Sequence, residues 1–490
     1  MGGNVEVDVA IVGTGFSGLG MAMQLARQPR RRRRSFVLLE QAAGIGGTWR
    51  DNHYPGCACD VPSHLYSFSF APNPRWSRAF APQAEILAYL ERCVDTHALR
   101  PHIRLGTQVT DAELDERSGR WQVHTRAGGT VSARHLVLGA GALSRPAYPR
   151  LPGLERFRGK SFHSAAWDHA YDLRGKTVAV IGTGASAIQL VPQIAGQVAR
   201  LDLYQRTPPW VLPRGDRAMS AREQRVFAHV PLAQRLYRWR IYWLMELAAL
   251  GFVVDQDILQ IAAHAGRKHI RAQIRDQRLR TLVTPTYAPG CKRILLGDDY
   301  YPALERDNVH LVTDAIASVD EGGIVTADGT RRAVDAIVLA TGFRATDLLT
   351  PLAIRGRAGV DINDAWRDGI EAYLGTTVAG YPNFYMLTGP NTGLGHNSMV
   401  FMIEAQVGYV LRLMAELERR GERLAEVRAG AQASFNAALR PRLERSVWAS
   451  GCHSWYLDAR GHNPAIWPGF TVEYWLRMRR LARHDYAFGD

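Results

Sequence analysis

The sequence predicts an α/β protein with two Rossmann-like dinucleotide-binding domains, the second inserted in the first and carrying a helical insertion of its own. Three observations predict this. The chain opens with a continuous apolar strand at residues 7–12, the turn Gly13-Thr14-Gly15-Phe16-Ser17-Gly18, and a helix-like stretch at 19–27. The same order recurs at 177–181, Gly182-Thr183-Gly184-Ala185-Ser186-Ala187 and 188–194. Two further apolar strands, 136–141 and 336–342, end in glycine turns. In such a turn the first glycine permits the bend, the second lets backbone approach a pyrophosphate, and the third lets strand and helix pack closely. The helix N-terminus behind it attracts phosphate charge. One match is weak, but two in the strand–turn–helix context are specific.

The remaining elements follow in order. The second strand of the first unit, 36–39, ends in Glu40, and its counterpart at 201–204 closes on Gln205-Arg206-Thr207. Between about 215 and 285 glycine becomes scarce and long charged, amphipathic segments predict the helical insertion. A glycine-rich loop at 389–395 leads into an amphipathic helix at 397–419. At 490 residues the chain is too long for one core. The expected division is 1–150 for the first part of unit one, 151–334 for unit two, and 335–490 for the return to unit one with a C-terminal segment.

Composition excludes several classes. The net charge of +14 is scattered, and its densest run, Arg30 to Arg34, reads as a solvated loop before a strand. No basic module interleaved with aromatics is present, so no nucleic-acid partner is expected. Five cysteines, Cys57, Cys59, Cys93, Cys291 and Cys452, lack zinc spacing, and Cys57-Ala58-Cys59 differs from a CxxC redox pair. Free thiols in a reducing cytosol fit this pattern. The N-terminus enters a strand with no basic region before it, so no signal peptide is expected, and Glu6 argues against myristoylation. The most apolar later stretch, 241–254, contains Glu246 and falls short of the ~20 residues of a membrane span. It reads as a buried helix in a soluble, cytoplasmic protein without stable membrane insertion.

Acceptor residues separate the two nucleotides. Glu40 can take two ribose hydroxyls, as FAD requires. Arg206 and Thr207 offer no carboxylate, and a guanidinium suits a 2′-phosphate, so the second nucleotide is expected to be NADPH. The plainer alternative makes Arg206 a surface cation. These turns imply an electron path from nicotinamide to flavin.

Two further motifs narrow the path's end. Phe157-Arg158-Gly159-Lys160-Ser161-Phe162-His163-Ser164-Ala165-Ala166-Trp167-Asp168 fits the pattern FxGxxxHxxxW[PD], and Gly46-Gly47-Thr48-Trp49 with Tyr54-Pro55-Gly56 and Asp60 fits GGTW…YPGxxxD. From residue 7 to about 475 the chain resembles the type I Baeyer–Villiger monooxygenases, within the flavin-containing monooxygenases. The resemblance implies NADPH- and O2-dependent insertion of one oxygen atom next to a ketone carbonyl, through a C4a-peroxyflavin, to give an ester or lactone. It implies that Arg293 of the pair Lys292-Arg293 is the catalytic cation, that Asp60 orients it, and that Lys292 holds the NADP 2′-phosphate. On residue pattern alone, Asp60 reads as a turn residue. The same resemblance places Gly47, Thr48, Trp49, Tyr66 and Val109 around FAD, and Met399 where a helix N-terminus faces the flavin.

His163 and Trp167 act in the resemblance as a hinge rather than in chemistry. Gly141 and Ala340-Thr341-Gly342 resemble the crossings between domains. Trp455 resembles a tryptophan that meets the nicotinamide nucleotide, with a core aromatic as the alternative. Residues 391–397 depart from the best-known cyclic-ketone members, so substrate preference is not carried across. N- or S-oxygenation is the runner-up activity, against which Trp167-Asp168 discriminates. A disulfide reductase would need a CxxC or CxxxxC pair, and neither is present. The retained glycine turns, Glu40 and Arg293 argue against a non-enzymatic binding protein.

Overall fold

The computed structural model describes residues 5–29, 32–347, 349–452, 454–458 and 460–489. Its first sheet centres on Val5–Val12, flanked in parallel by Phe36–Leu39 and Thr130–Leu138. All four residues of Phe36–Leu39 are buried, as expected of a parallel strand covered on both faces. The hairpin Val109–Asp115 and Arg120–Thr125 adds antiparallel strands against the first half of Thr130–Leu138. The returning strand Phe384–Met386 pairs in parallel with its second half. Helices Phe16–Ala26 and Met399–Arg420 pack against each other over this sheet.

The second sheet has five parallel strands in the order Val309–Val312, Arg200–Tyr204, Thr177–Ile181, Ala336–Leu339 and Lys160–His163. Ala336–Leu339 lies within it, beside Thr177–Ile181. The return to the first sheet therefore begins after residue 339 rather than at 335. An all-apolar strand does not reveal in its own sequence which of two sheets it joins.

The insertion consists of the helices Ala221–His229, Pro231–Val253, Leu259–Gln273 and Gln277–Val283. The first starts with a capping box in which Ser220 and Glu223 exchange hydrogen bonds. The expectation of a buried helix at 241–254 needs correction. Tyr242, Glu246, Ala249, Gly251 and Phe252 are buried, while Trp243, Leu244 and Leu247 face outward, so only one side of the helix is covered. Periodicity makes a helix here, but neighbours decide which face is covered.

Two other expectations are corrected. Arg30 and Arg31 lie outside the described residues, but Arg34, the end of the basic run, is buried. Its Nε and Nη2 donate to Glu418 at 2.7 and 2.8 Å, and its Nη1 donates to Gln28. It is a tie between the edge of the first sheet and the helix Met399–Arg420. Cys291 and Cys452 form a disulfide, with Cα atoms 6.2 Å apart. Cys57, Cys59 and Cys93 are free thiols. A pairing across 161 residues has no local signature. Among the described residues no helix is long and apolar enough to cross a membrane.

Candidate active site

The two glycine turns share one construction. Gly13 has φ +96°, and a Cβ there would meet the Gly139 carbonyl oxygen at 2.7 Å; a Cβ on Gly18 would lie 2.0 Å from the Gly13 oxygen. These two positions are needed by the fold. Gly15 differs, because its added Cβ would meet nothing closer than Gly47 Cα at 3.9 Å. In the second turn, Gly182 (φ +111°) lies against the Ala340 carbonyl, whereas a Cβ on Gly184 would have nothing within 4 Å. Ala187, standing where a third glycine would, is fully buried. In both turns the middle glycine keeps a backbone surface open. Neither Gly15 nor Gly184 caps its helix with a side chain, so the first-turn N–H groups, from Phe16-Ser17 and Ala185-Ser186, remain available to an anion.

Glu40 is buried at the end of its strand and held beside the first turn. Its Oε2 accepts from the Thr14 amide (3.1 Å) and hydroxyl (2.6 Å), and its Oε1 accepts from the Ala42 amide (3.0 Å) and pairs with Arg50 at 3.1 Å. The Thr107 amide donates to the Glu40 carbonyl, which brings Val109, two residues further on, to this end of the sheet. Gly47, Thr48 and Trp49 start the short helix Thr48–Asp51 directly against Gly15. Trp49 Nε1 donates to Tyr66 Oη at 3.1 Å, and the Phe16 ring meets Tyr66 edge-on at 5.0 Å. These aromatic rings form a wall beside the turn.

At the second turn the Thr183 hydroxyl donates to the Thr207 carbonyl at 3.1 Å. Lys292 stands near Arg206, and burial followed by that positive neighbour lowers its pKa. Its Nζ lies 5.0 Å from the Tyr287 ring centre. Two cations kept close to one another suit a doubly charged anion.

Arg293 and Asp60 are brought together from 233 residues apart. Arg293 Nε and Nη2 both lie 2.7 Å from Asp60 Oδ2, and Nη1 donates to the Leu394 carbonyl at 3.3 Å. The Asp60 charge is the main cause that raises the Arg293 pKa above its ordinary value, against the effect of burial. Three separate segments thus meet at one guanidinium. One of them, the 389–395 loop, leads to Met399, the first residue of the helix Met399–Arg420, whose N-cap Ser398 makes no side-chain cap. Cys57 and Cys59 nearby are buried, and burial pushes the Cys57 thiol up to about 12. Such thiols are not poised as a redox pair.

Trp455 is 45% exposed, so it is not a core aromatic. Its neighbour Tyr456, ring centres 4.2 Å apart, is the buried one, and among the described residues no partner meets its hydroxyl in full hydrogen-bond geometry. Tyr456 lies close enough for the Arg293 and Asp60 charges to influence its phenol. The disulfide Cys291–Cys452 ties this segment to the residue preceding Lys292-Arg293. His163 is buried, accepts from the Ala165 amide at 3.1 Å and sits between the Tyr148 and Phe343 rings. Those rings belong to the two crossing segments, which bond each other through Thr341 Oγ1 to the Ala147 carbonyl and the Ala147 amide to the Gly342 carbonyl.

Sequence reasoning missed Gln189, Tyr456 and the disulfide. Gln189 accepts from Tyr54 Oη at 2.9 Å and donates to the Ala58 carbonyl at 3.0 Å, joining the Tyr-Pro-Gly segment to the helix Ala185–Ala195. A Cβ on Gly56 would be 2.6 Å from the Gln189 carbonyl oxygen. Gly56 was the one readable sign of that close approach.

A carboxylate beside one open glycine turn and two cations beside another define an FAD- and pyridine-nucleotide-dependent oxidoreductase. Residues 10–222 match the family model described as pyridine nucleotide-disulphide oxidoreductase. The chain is 52% identical to a Baeyer–Villiger monooxygenase of Pseudomonas aeruginosa, covering 97% of this chain and 89% of that one. It is 46% identical to a Baeyer–Villiger monooxygenase of Streptomyces coelicolor, covering 98% and 92%. The solved structure of an oxidized steroid monooxygenase bound to NADP superposes with a TM-score of 0.88 at 35% identity, covering 99% of this chain and 100% of that one. The chain belongs to the Baeyer–Villiger monooxygenases.

Proposed function

We propose that this chain uses NADPH and O2 to insert one oxygen atom beside the carbonyl of a ketone, with Arg293 as the catalytic cation and Asp60 as the carboxylate that holds it. The observation that carries this reading is the Arg293–Asp60 pair, set where the Tyr-Pro-Gly segment, the Lys292-Arg293 pair and the glycine-rich loop converge. A solved relative, cyclohexanone monooxygenase with ε-caprolactone bound, has a TM-score of 0.87 at 28% identity and supports an ester or lactone as the product class.

The residues present fit both cofactors. Gly15 and Gly184 leave backbone cradles that a side chain would fill, each at an uncapped helix N-terminus. Glu40 would accept ribose hydroxyls of FAD in exchange for one of its present donors. Arg206 and Lys292 would hold the 2′-phosphate of NADPH. Bound FAD, reduced by NADPH, would activate O2, from which the transferred oxygen atom comes.

The protein's own contribution is electrostatic. A guanidinium fixed through two of its nitrogens stabilises the negative charge that develops on the ketone oxygen. Asp60 keeps that cation charged and aimed. The N-terminus of Met399–Arg420 adds favourable dipole for negative charge nearby. Phe16, Trp49 and Tyr66 exclude water on one side. Dependence on NADPH supports a cytoplasmic location.

The test is NADPH oxidation by the yellow holoenzyme with a ketone panel under isotopically labelled O2. The expected product is an ester or lactone carrying one labelled atom; sulfoxide or N-oxide as the sole product would overturn the reading. Arg293→Ala should lower ester formation ~10²-fold or more with FAD still bound. Undiminished oxygenation by that variant would remove Arg293 from its role.

A further inference from the structure

The helix Pro231–Val253 buries the polar residues Gln234 and Glu246 beside Tyr242, Ala249 and Phe252, and turns a row of large apolar residues outward. On the inner side, Gln234 donates to the Asn73 carbonyl at 2.8 Å, and Arg238 donates to the His64 and Ser67 carbonyls at 2.6 and 2.9 Å. Glu246 accepts from Asn397 Nδ2 (2.7 Å), the Thr471 hydroxyl (2.6 Å) and the Val472 amide (3.0 Å). This face is satisfied where it is. On the outer side, Leu232, Leu236, Trp239, Trp243 and Leu247 recur at steps of three and four, a single stripe on a helix. With Leu244 beside them, they are 63, 59, 63, 40, 58 and 58% exposed, in the order Leu232, Leu236, Trp239, Trp243, Leu244, Leu247. Val254, Ile258 and Ile261, the last 73% exposed, extend the patch. A contiguous apolar surface of this kind marks an interaction site.

The charge around the stripe specifies the partner. Exposed Arg235 and Arg240 flank it on the same helix, Arg222 and Arg225 lie on the preceding helix, and Arg267 and Lys268 on the following one. Residues 216–280 contain twelve arginines and lysines against six carboxylates. Of those carboxylates Glu246 is buried, and Asp255 and Asp257 lie at the far end of the stripe. A protruding ridge of leucine and tryptophan rimmed with arginine has the composition of a helix lying in a lipid interface. Arginine stems can lie along apolar surface while their heads reach phosphates.

We propose that the outward face of Pro231–Val253 docks on an anionic lipid surface, with Trp239 and Trp243 at headgroup depth and the flanking arginines on lipid phosphates. It is a peripheral contact and not a span. The inner face of the same helix holds Asn397 through Glu246, and Tyr242 packs on Phe401 at 4.9 Å. Docking therefore sets the loop before Met399 roughly one helix diameter, about 10 Å, from the lipid. Resting on the function proposed above, this favours apolar ketones that partition into membranes.

The test measures binding separately from turnover. Holoenzyme is sedimented with vesicles of phosphatidylcholine containing phosphatidylserine, and with phosphatidylcholine alone, while tryptophan emission is followed. Expected are cosedimentation and a blue shift with the anionic vesicles, both weakened by salt. Trp239→Ser/Trp243→Ser should reduce binding about tenfold or more while FAD content and turnover of a water-soluble ketone stay unchanged. Arg235→Gln and Arg240→Gln should each weaken it about fivefold. Failure to bind anionic vesicles, or binding indifferent to the tryptophan pair, would overturn the proposal. So would a solution dimer that the tryptophan variant dissociates, since it would assign the face to a second copy of the chain. Turnover without vesicle binding would leave the proposed function standing and remove this one.

Discussion

Gly18 and Gly184 occupy similar turns, yet they answer to different demands. A methyl group at Gly18 would collide with the Gly13 carbonyl at 2.0 Å, whereas one at Gly184 would project into open space. Gly18→Ala should therefore lose FAD or fail to fold, while Gly184→Ala should fold with FAD bound and show a raised KM for NADPH. Flavin absorbance and NADPH titration check both, and equal damage from the two substitutions would contradict the assignment. Lys292 gives a second prediction. Its pKa is lowered by burial and by Arg206, so it loses its proton at lower pH than an ordinary lysine. As pH rises through that lowered pKa, attraction for the 2′-phosphate falls, so KM for NADPH should climb while KM for NADH stays flat. Lys292→Met should remove the pH dependence of the NADPH/NADH ratio. The glycines and the lysine–arginine pair are readable from sequence because their chemistry is local to a turn or a dipeptide. Tyr456 and Gln189 are not, since each matters only through what a distant segment brings to it.

At the level of elements, the strands 36–39 and 177–181 are readable to the residue because each is a short apolar run stopped by a charged or glycine residue. The sheet membership of Ala336–Leu339 is not, because a fully buried strand looks the same from both sheets. The insertion helix is readable as a helix, but its covered side buries Gln234 and Glu246 among apolar residues while leucines and tryptophans stay outside, so amphipathic reasoning does not find the covered face. Arg34 is another case, a buried cation inside a run that composition assigns to solvent. Its bidentate partner Glu418 sits near the end of Met399–Arg420 and is 38% exposed. Glu418→Ala should cost about 2 kcal/mol, less than the roughly 3–5 of a fully buried pair because solvent reaches the carboxylate. Thermal unfolding followed by flavin fluorescence would record a midpoint a few degrees lower. An unchanged midpoint would show that Gln28 alone compensates for Arg34.

Over the whole molecule, a mixed first sheet and a parallel second sheet are coupled by specific devices. The crossings at Ala147 and Gly342 bond one another, His163 lies between their aromatic residues, and Gln189 pins the Tyr-Pro-Gly segment to the second unit. The two-unit plan is legible from the repeated strand–turn–helix order, because that order is fixed by phosphate recognition. The covalent link between Cys291 and Cys452 is not legible, although it bears on how the chain endures damage. It closes a ring that contains the strands Ala336–Leu339 and Phe384–Met386 and the helix Met399–Arg420. Proteolytic nicking of an exposed turn inside that ring, such as the one near Asp368, would not release either half. The clipped protein should migrate as one species on a non-reducing gel and separate into two after thiol reduction, so a single cut becomes a hidden break rather than a loss of chain.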